Sequence, residues 1–447
     1  MSRSKISLIV SAVMLLYITF NLSNWRQRNM LYWDCGNYYM YLPAVFIYHD
    51  LADLKFYPKI VETYYLNNGQ KDFNLYPQPT GHTVNKYAVG TSFFELPFFL
   101  LAHGYCLLAN DKEMPPDGYS TPYMVMVVFS ILFWVMAGLY VLRKFLLRYF
   151  SDTATALTLL LLMFATNLYF YTVFNIGMSH PFSFTLFCFL LYHTERLYAT
   201  GHTRYIIYTA AILGMVLITR PTNIVVALIP IFWPYGQTRT IPQRLQFLAQ
   251  KKWALLTGAI LFLLIAMIQF GYFRYTAGKW FHFSYEKEHF EFLQPHIIKG
   301  LFSYQKGWYV YTPIAFIATL GLLPLARQHR QLSLLVLSFL AFTVYIVFSW
   351  CVWSYGGSFG SRAMIESLAI MAIPLAAFIQ WIFTRPVPLR IITLVIFACC
   401  ITLNAFQSYQ LVNNYTVWDH TNKAFYWYSF GRLDVTEEDK QRLLDER

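Results

Sequence analysis

The residues best suited to chemistry gather in a few short polar segments of this chain. Asp34 lies in Trp33-Asp34-Cys35-Gly36-Asn37-Tyr38-Tyr39, about eleven residues past an apolar run that is long enough to cross a membrane. A carboxylate packed among aromatics just outside a bilayer suits a general base. The same Asp also suits the cap of the helix continuing through Tyr41-Leu42-Pro43, and the motif alone leaves both readings open. Lys86 opens a second apolar stretch and is either a phosphate ligand or a lysine reaching for the interface. Arg220 stands between two apolar runs beside Pro221, where an unpaired guanidinium is costly, so it must pair or bind an anion. The turn Tyr355-Gly356-Gly357-Ser358-Phe359-Gly360-Ser361-Arg362 offers backbone N–H groups and a cation to a phosphate. Alternatively, Arg362 pairs with Glu366 one helical turn on. His180, ahead of Pro181, is equally readable as a ligand or a buried hydrogen-bonded residue. Tyr38, Tyr39, His180, Ser358 and Glu366 complete the substrate-pocket candidates, with Lys306 and Arg274 as lesser cationic ones. Asp50 and Asp53 read as the solvated face of an amphipathic stretch.

The elements that hold these residues are dictated by composition. Of 447 residues, 57% are hydrophobic and 13% charged, about half the charge of a soluble domain. The apolar runs show no alternation of period two, which favours helices over a barrel. Spans are expected near 6–22, 121–142, 153–173, 179–199, 205–219, 222–235, 253–275, 307–326, 331–351, 360–383 and 388–409. The fold class is therefore an all-α, polytopic transmembrane bundle of about eleven helices. Basic residues in short loops (Arg143, Lys144, Arg148; Arg196, Arg204; Arg244, Lys251, Lys252; Arg327, Arg330; Arg385, Arg390) fall on one side if the N-terminus is cytoplasmic. That orientation requires the stretch 87–109, with Glu95, Pro97 and His103, to lie at the outer interface rather than cross. Residues 1–409 then form one domain with a long outer loop over 23–120, and 410–447 form a short tail on the outer face. No second soluble domain or internal repeat is visible.

The net charge of +12 exceeds what basic cytoplasmic loops explain, and cations on the outer face point to an anionic ligand. With no soluble basic domain, nucleic acid is excluded as a partner. The six cysteines are scattered without metal-ligand spacing and read as small hydrophobes. The basic start, Met1 to Lys5, precedes an apolar run without a cleavage site and reads as a retained first helix.

The order of these features resembles the GT-C superfamily of integral-membrane glycosyltransferases. It is most similar to bacterial members related to protein O-mannosyltransferases and the aminoarabinose transferase that modifies lipid A. The resemblance rests on the acidic residue of WDCGNYYMYLPA, on Asn85-Lys86-Tyr87-Ala88-Val89-Gly90, and on Thr219-Arg220-Pro221. His180-Pro181 departs from it, standing where relatives often carry an acidic residue. The first outer loop also lacks Asp-x-Asp, so no obligatory divalent metal or other cofactor is implied. The resemblance implies inverting transfer of a sugar from a polyprenyl-phosphate donor to an acceptor hydroxyl on a lipid, glycan or protein. The site would face the periplasmic leaflet of a bacterial inner membrane. Asp34 would be the base, and Lys86, Arg220 and Arg362 the phosphate ligands. The rival reading is a flippase or transporter of lipid-linked sugar, without catalysis, which would need polar residues through the bundle and usually a repeated half.

Overall fold

A computed structural model describes residues 1–22, 30–234 and 240–445. The parts of the expected outer loop, of the 222–235 span and of the tail that fall at 23–29, 235 and 446–447 lie outside the described residues. The chain is an all-α membrane protein. Among the described residues, six helices are long and apolar enough to cross a bilayer: Arg3–Asn21, Gly90–Ala109, Thr121–Leu146, Lys252–Thr276, Arg330–Phe348 and Val387–Val412. Two of them bury little of their surface. Leu256, Ile260, Leu263 and Leu264 on one, and Ile391, Ile392, Val395 and Ile396 on the other, remain exposed. Such bare aliphatic faces are stable only against lipid.

The centre of the bundle is Leu368–Ile382, buried on nearly every side and packed against Asp152–Phe164, Pro313–Leu320 and Leu322–Gln328. A Cβ at Gly321 would stand 2.0 Å from the Pro374 carbonyl oxygen, so glycine is what allows this contact. Several expected spans are broken. The 153–173 stretch divides into Asp152–Phe164 and Leu168–Val173, the 307–326 stretch into three short helices, and 222–235 begins as the 3₁₀ turn Pro221–Ala227. Proline at the first position of a new helix marks two of these breaks, at Pro221 and Pro313.

One end of the bundle carries the start of the chain. The Arg3 backbone N–H donates to Asp152 Oδ2 (2.6 Å), Arg143 Nε donates to Ser4 Oγ (2.7 Å), and Arg148 pairs with Glu195 (2.7 Å). A 20-residue helix, about 30 Å long, leads from there to the other end. That end carries the 30–89 segment, whose only described sheet is an antiparallel hairpin of Leu75–Pro77 and Thr83–Asn85.

Gly90–Ala109 is a single 20-residue helix, so its length alone would let it cross. Its packing places it more narrowly. Cys106 Sγ is 3.9 Å from Ser120 Oγ, His103 Nδ1 is 2.6 Å from the Tyr123 hydroxyl, and the Phe94 carbonyl accepts from Ser130 Oγ (3.1 Å) and Trp134 Nε1 (2.9 Å). These contacts run antiparallel along residues 120–134, the half of Thr121–Leu146 away from Arg143.

The tail from 410 onward packs back onto the same end as the hairpin. Lys306, only 3% exposed, donates its Nζ to the carbonyls of Ser358 and Trp418 and so clips three loops together. Burial pulls its ammonium down to about 7, against a weaker opposing pull from Asp419. Because the folded value lies below the ordinary lysine value of 10.5, the unfolded chain binds the extra proton between them. Folding stability therefore rises with pH from about 7 toward 10. Thermal unfolding at pH 7 and pH 9 checks this: the wild type gains stability at the higher pH, and Lys306→Met lacks that gain.

Candidate active site

A cavity of about 1120 Å³ opens at the hairpin end. Asp34, Tyr38, Lys86, His180, Arg220 and Arg362 all line it.

Asp34 sits in the first turn of Trp33–Tyr39. The preceding Trp33 has φ of +49°, an unusual conformation for a bulky residue. It is held there because its N–H donates to Asn67 Oδ1. A Cβ at Gly36 would stand 2.7 Å from the Leu31 carbonyl oxygen, so the turn closes only with glycine at that place. Asn37, one turn below, clamps this helix to the strand ahead of Lys86. Its Nδ2 donates to Asn85 Oδ1 (3.3 Å), and Asn85 Nδ2 donates back to the Asn37 carbonyl (2.7 Å). That strand is in turn pinned to Lys252–Thr276: the Asn85 N–H donates to the Tyr272 hydroxyl (2.9 Å) and the Val89 N–H to Gln269 Oε1 (2.8 Å). Asp34 and Lys86 are thus set on one rigid frame.

Arg220 ends Arg204–Thr219 in extended backbone, φ −151°, as expected before proline. A Cβ at Gly90 would stand 2.5 Å from the Thr219 N, so the start of the Gly90–Ala109 helix presses directly on this turn. Arg362 is carried by the glycine-rich turn, which Tyr171 holds by accepting the Phe359 N–H (3.0 Å) and Asn167 by donating to the Ser361 carbonyl (3.2 Å).

Each cation comes with its own carboxylate. Arg362 Nη1 lies 3.0 Å from Asp34 Oδ2. Arg220 Nε lies 3.2 Å from Glu366 Oε1, an ion-pair distance without hydrogen-bond alignment. Lys86 Nζ pairs with Glu288. Glu366 is 1% exposed and also takes His180 Nδ1 (3.1 Å) and Asn223 Nδ2 (3.0 Å). Arg362 therefore does not pair with Glu366, which is one of the two readings the sequence leaves open for it; its partner is Asp34. Residues Arg362–Met364 form a 3₁₀ turn and the helix begins only at Leu368, so positions 362 and 366 are not stacked as they would be on an α-helix. Arg362 Nε is buried and makes no hydrogen bond among the described residues. The Tyr38 hydroxyl lies 3.1 Å from Ser179 Oγ, and burial raises its phenol above the usual range against the pull of Arg220.

Other expected residues fall outside the cavity. Tyr39 is fully buried and donates to the Gly118 carbonyl (2.6 Å). Ser358 turns its hydroxyl onto carbonyls of its own loop, Lys306 serves as the loop clip, and Arg274 donates to the Gly278 carbonyl. Asp50 caps the turn at 53–55 and Asp53 pairs with Lys55 and His82. None of the six cysteines is disulfide-bonded. Among the described residues, no three His, Cys, Asp or Glu side chains converge as metal ligands.

Residues that sequence reasoning did not single out also line the site: Glu288, Trp350, Tyr285 and Tyr355. The Glu286-Lys287-Glu288 run is the only local signal for the first of them, and it reads as solvated charge. One side of the wall is apolar, with Leu217, Ile218, Ala266, Phe270, Ile346 and Val347 drawn from three helices. The cavity thus joins a charged floor to a hydrocarbon wall. No family model matches the chain, and no curated protein matches it.

Proposed function

We propose that the protein is a GT-C-like glycosyltransferase. It moves a sugar from a polyprenyl-phosphate donor to an acceptor hydroxyl at the outer leaflet of a bacterial inner membrane. The observation that carries the reading is the shared cavity: the carboxylates of Asp34 and Glu288, three cations and an apolar face meet within one enclosure. A soluble sugar nucleotide would have no use for that face, and a lipid without phosphate none for the cations.

In this reading the donor phosphate lies among Lys86, Arg220 and Arg362, with the prenyl chain along Phe270 and Ile346. Asp34 is held through Oδ2 by Arg362, leaving Oδ1 to take the acceptor's proton. The acceptor oxygen bonds to the anomeric carbon as the carbon–oxygen bond to phosphate breaks, which inverts the configuration. Polyprenyl phosphate leaves, and the cations meet the charge that grows on it. The phosphate linkage already stores the energy, so neither nucleotide nor ATP enters.

The membrane topology that accompanies this reading has a cytoplasmic N-terminus, eleven crossings and Gly90–Ala109 held on the outer side. Support comes from the clustering of Arg3, Arg143 and Arg148 at the end opposite the cavity and from basic loops on one side.

Purified protein in proteoliposomes with labelled polyprenyl-phosphate sugars and candidate acceptors tests the reading. A transferase releases polyprenyl phosphate and labels an acceptor. Relocation of intact donor lipid across the bilayer without release would make the protein a flippase.

A further inference from the structure

Two donors from distant parts of the chain converge on one carboxylate in the lining of the cavity. Lys86 Nζ donates to Glu288 Oε1, and Trp350 Nε1 donates to Glu288 Oε2 at 3.0 Å. The donors are anchored by their backbones. The Lys86 N–H donates to the Asn74 carbonyl (2.9 Å), and the Lys86 carbonyl accepts from Ser284 Oγ (2.6 Å). Trp350 forms an antiparallel bridge with Phe290, flanked by Glu291 N–H to Ser349 carbonyl (2.6 Å) and Cys351 N–H to His289 carbonyl (3.0 Å). The rings of Tyr285 and Tyr87 stand 4.9 and 5.9 Å from the ammonium and hold it in place.

Glu288 is the looser partner, with 27% of its side chain exposed against 11% for Lys86. An ion pair with a partly exposed partner is screened and held only weakly. Both contacts are charge-assisted, but a phosphomonoester carries close to two negative charges at neutral pH where a carboxylate carries one, so an arriving phosphate can displace the carboxylate. A carboxylate and a phosphoryl group both offer oxygens at a spacing that two fixed donors can bridge.

We infer that Lys86 Nζ and Trp350 Nε1 form the seat of a phosphoryl group, and that the Glu288 carboxylate occupies this seat while the cavity is empty. Trp350 is then a ligand-binding residue, and Glu288 is an internal competitor that lowers affinity for the anion. The identity of the anion as polyprenyl phosphate rests on the proposed function; the seat itself rests on the two donors.

Binding of a polyprenyl monophosphate in detergent, measured by calorimetry alongside inorganic phosphate, tests this. Glu288→Gln keeps the shape but loses the charge, and it binds the lipid phosphate about three- to tenfold more tightly than wild type. Trp350→Phe keeps the packing but loses the donor, and it binds about fivefold more weakly. Unchanged or weaker binding by Glu288→Gln overturns the seat while leaving the transferase reading in place. Tighter binding of inorganic phosphate by Glu288→Gln, with no binding of the lipid in any variant, upholds the seat and overturns the polyprenyl-phosphate reading.

Discussion

Asp34→Asn abolishes sugar transfer, by roughly 10²- to 10⁴-fold, the range for loss of a general base. The substitution is close to isosteric, and the amide oxygen can still accept from Arg362, so the turn at Trp33 and the Asn37–Asn85 clamp stay in place. Binding of polyprenyl phosphate therefore changes little while the chemical step is lost. Turnover and lipid binding measured on the same preparation separate the two. Near-normal turnover would remove Asp34 from the mechanism.

Arg220→Ala carries the second large effect. It removes a proposed phosphate ligand and leaves Glu366, 1% exposed, with only His180 and Asn223 as partners. Breaking a buried ion pair from one side costs roughly 3 kcal/mol or more, so both stability and donor affinity fall. Arg220→Lys keeps the charge and loses less of each. The double variant Arg220→Met with Glu366→Gln removes both charges together. It regains much of the stability, because no buried charge is left uncompensated, but not the affinity. Thermal unfolding together with lipid binding across the four proteins checks this. If the double variant recovered binding as well, Arg220 would be structural only.

The membrane character and the position of most helices are legible because lipid demands long apolar runs and self-satisfied backbone, both of which are local properties. The grouping of Asp34, Lys86, Arg220 and Arg362 is legible in part. Charge bias in the loops assigns all four to one face, although not to one cavity. Their partners are not legible. Lys86 meets Glu288 across 202 residues and Glu366 meets His180 across 186, and no local rule reports such separations. The four-residue spacing of Arg362 and Glu366, which leaves their pairing open, does not bring them together, because the turn there is 3₁₀ and the side chains are not stacked. The breaks at Asn167 and Pro221 follow the same pattern. Each interrupts an apolar run at the point where a polar side chain, Asn167 or Arg220, is needed at the site or beneath it.

Transfer at Asp34 requires a lipid phosphate to bind inside this cavity. A structure of the protein with polyprenyl monophosphate, solved by electron cryomicroscopy, measures that directly. The expected result is phosphorus density in contact with Lys86 and at least one of Arg220 and Arg362, facing Asp34, with the chain leaving along Phe270 and Ile346. Density for the phosphate at the Arg3–Arg143 end, or anywhere outside this cavity, would contradict it.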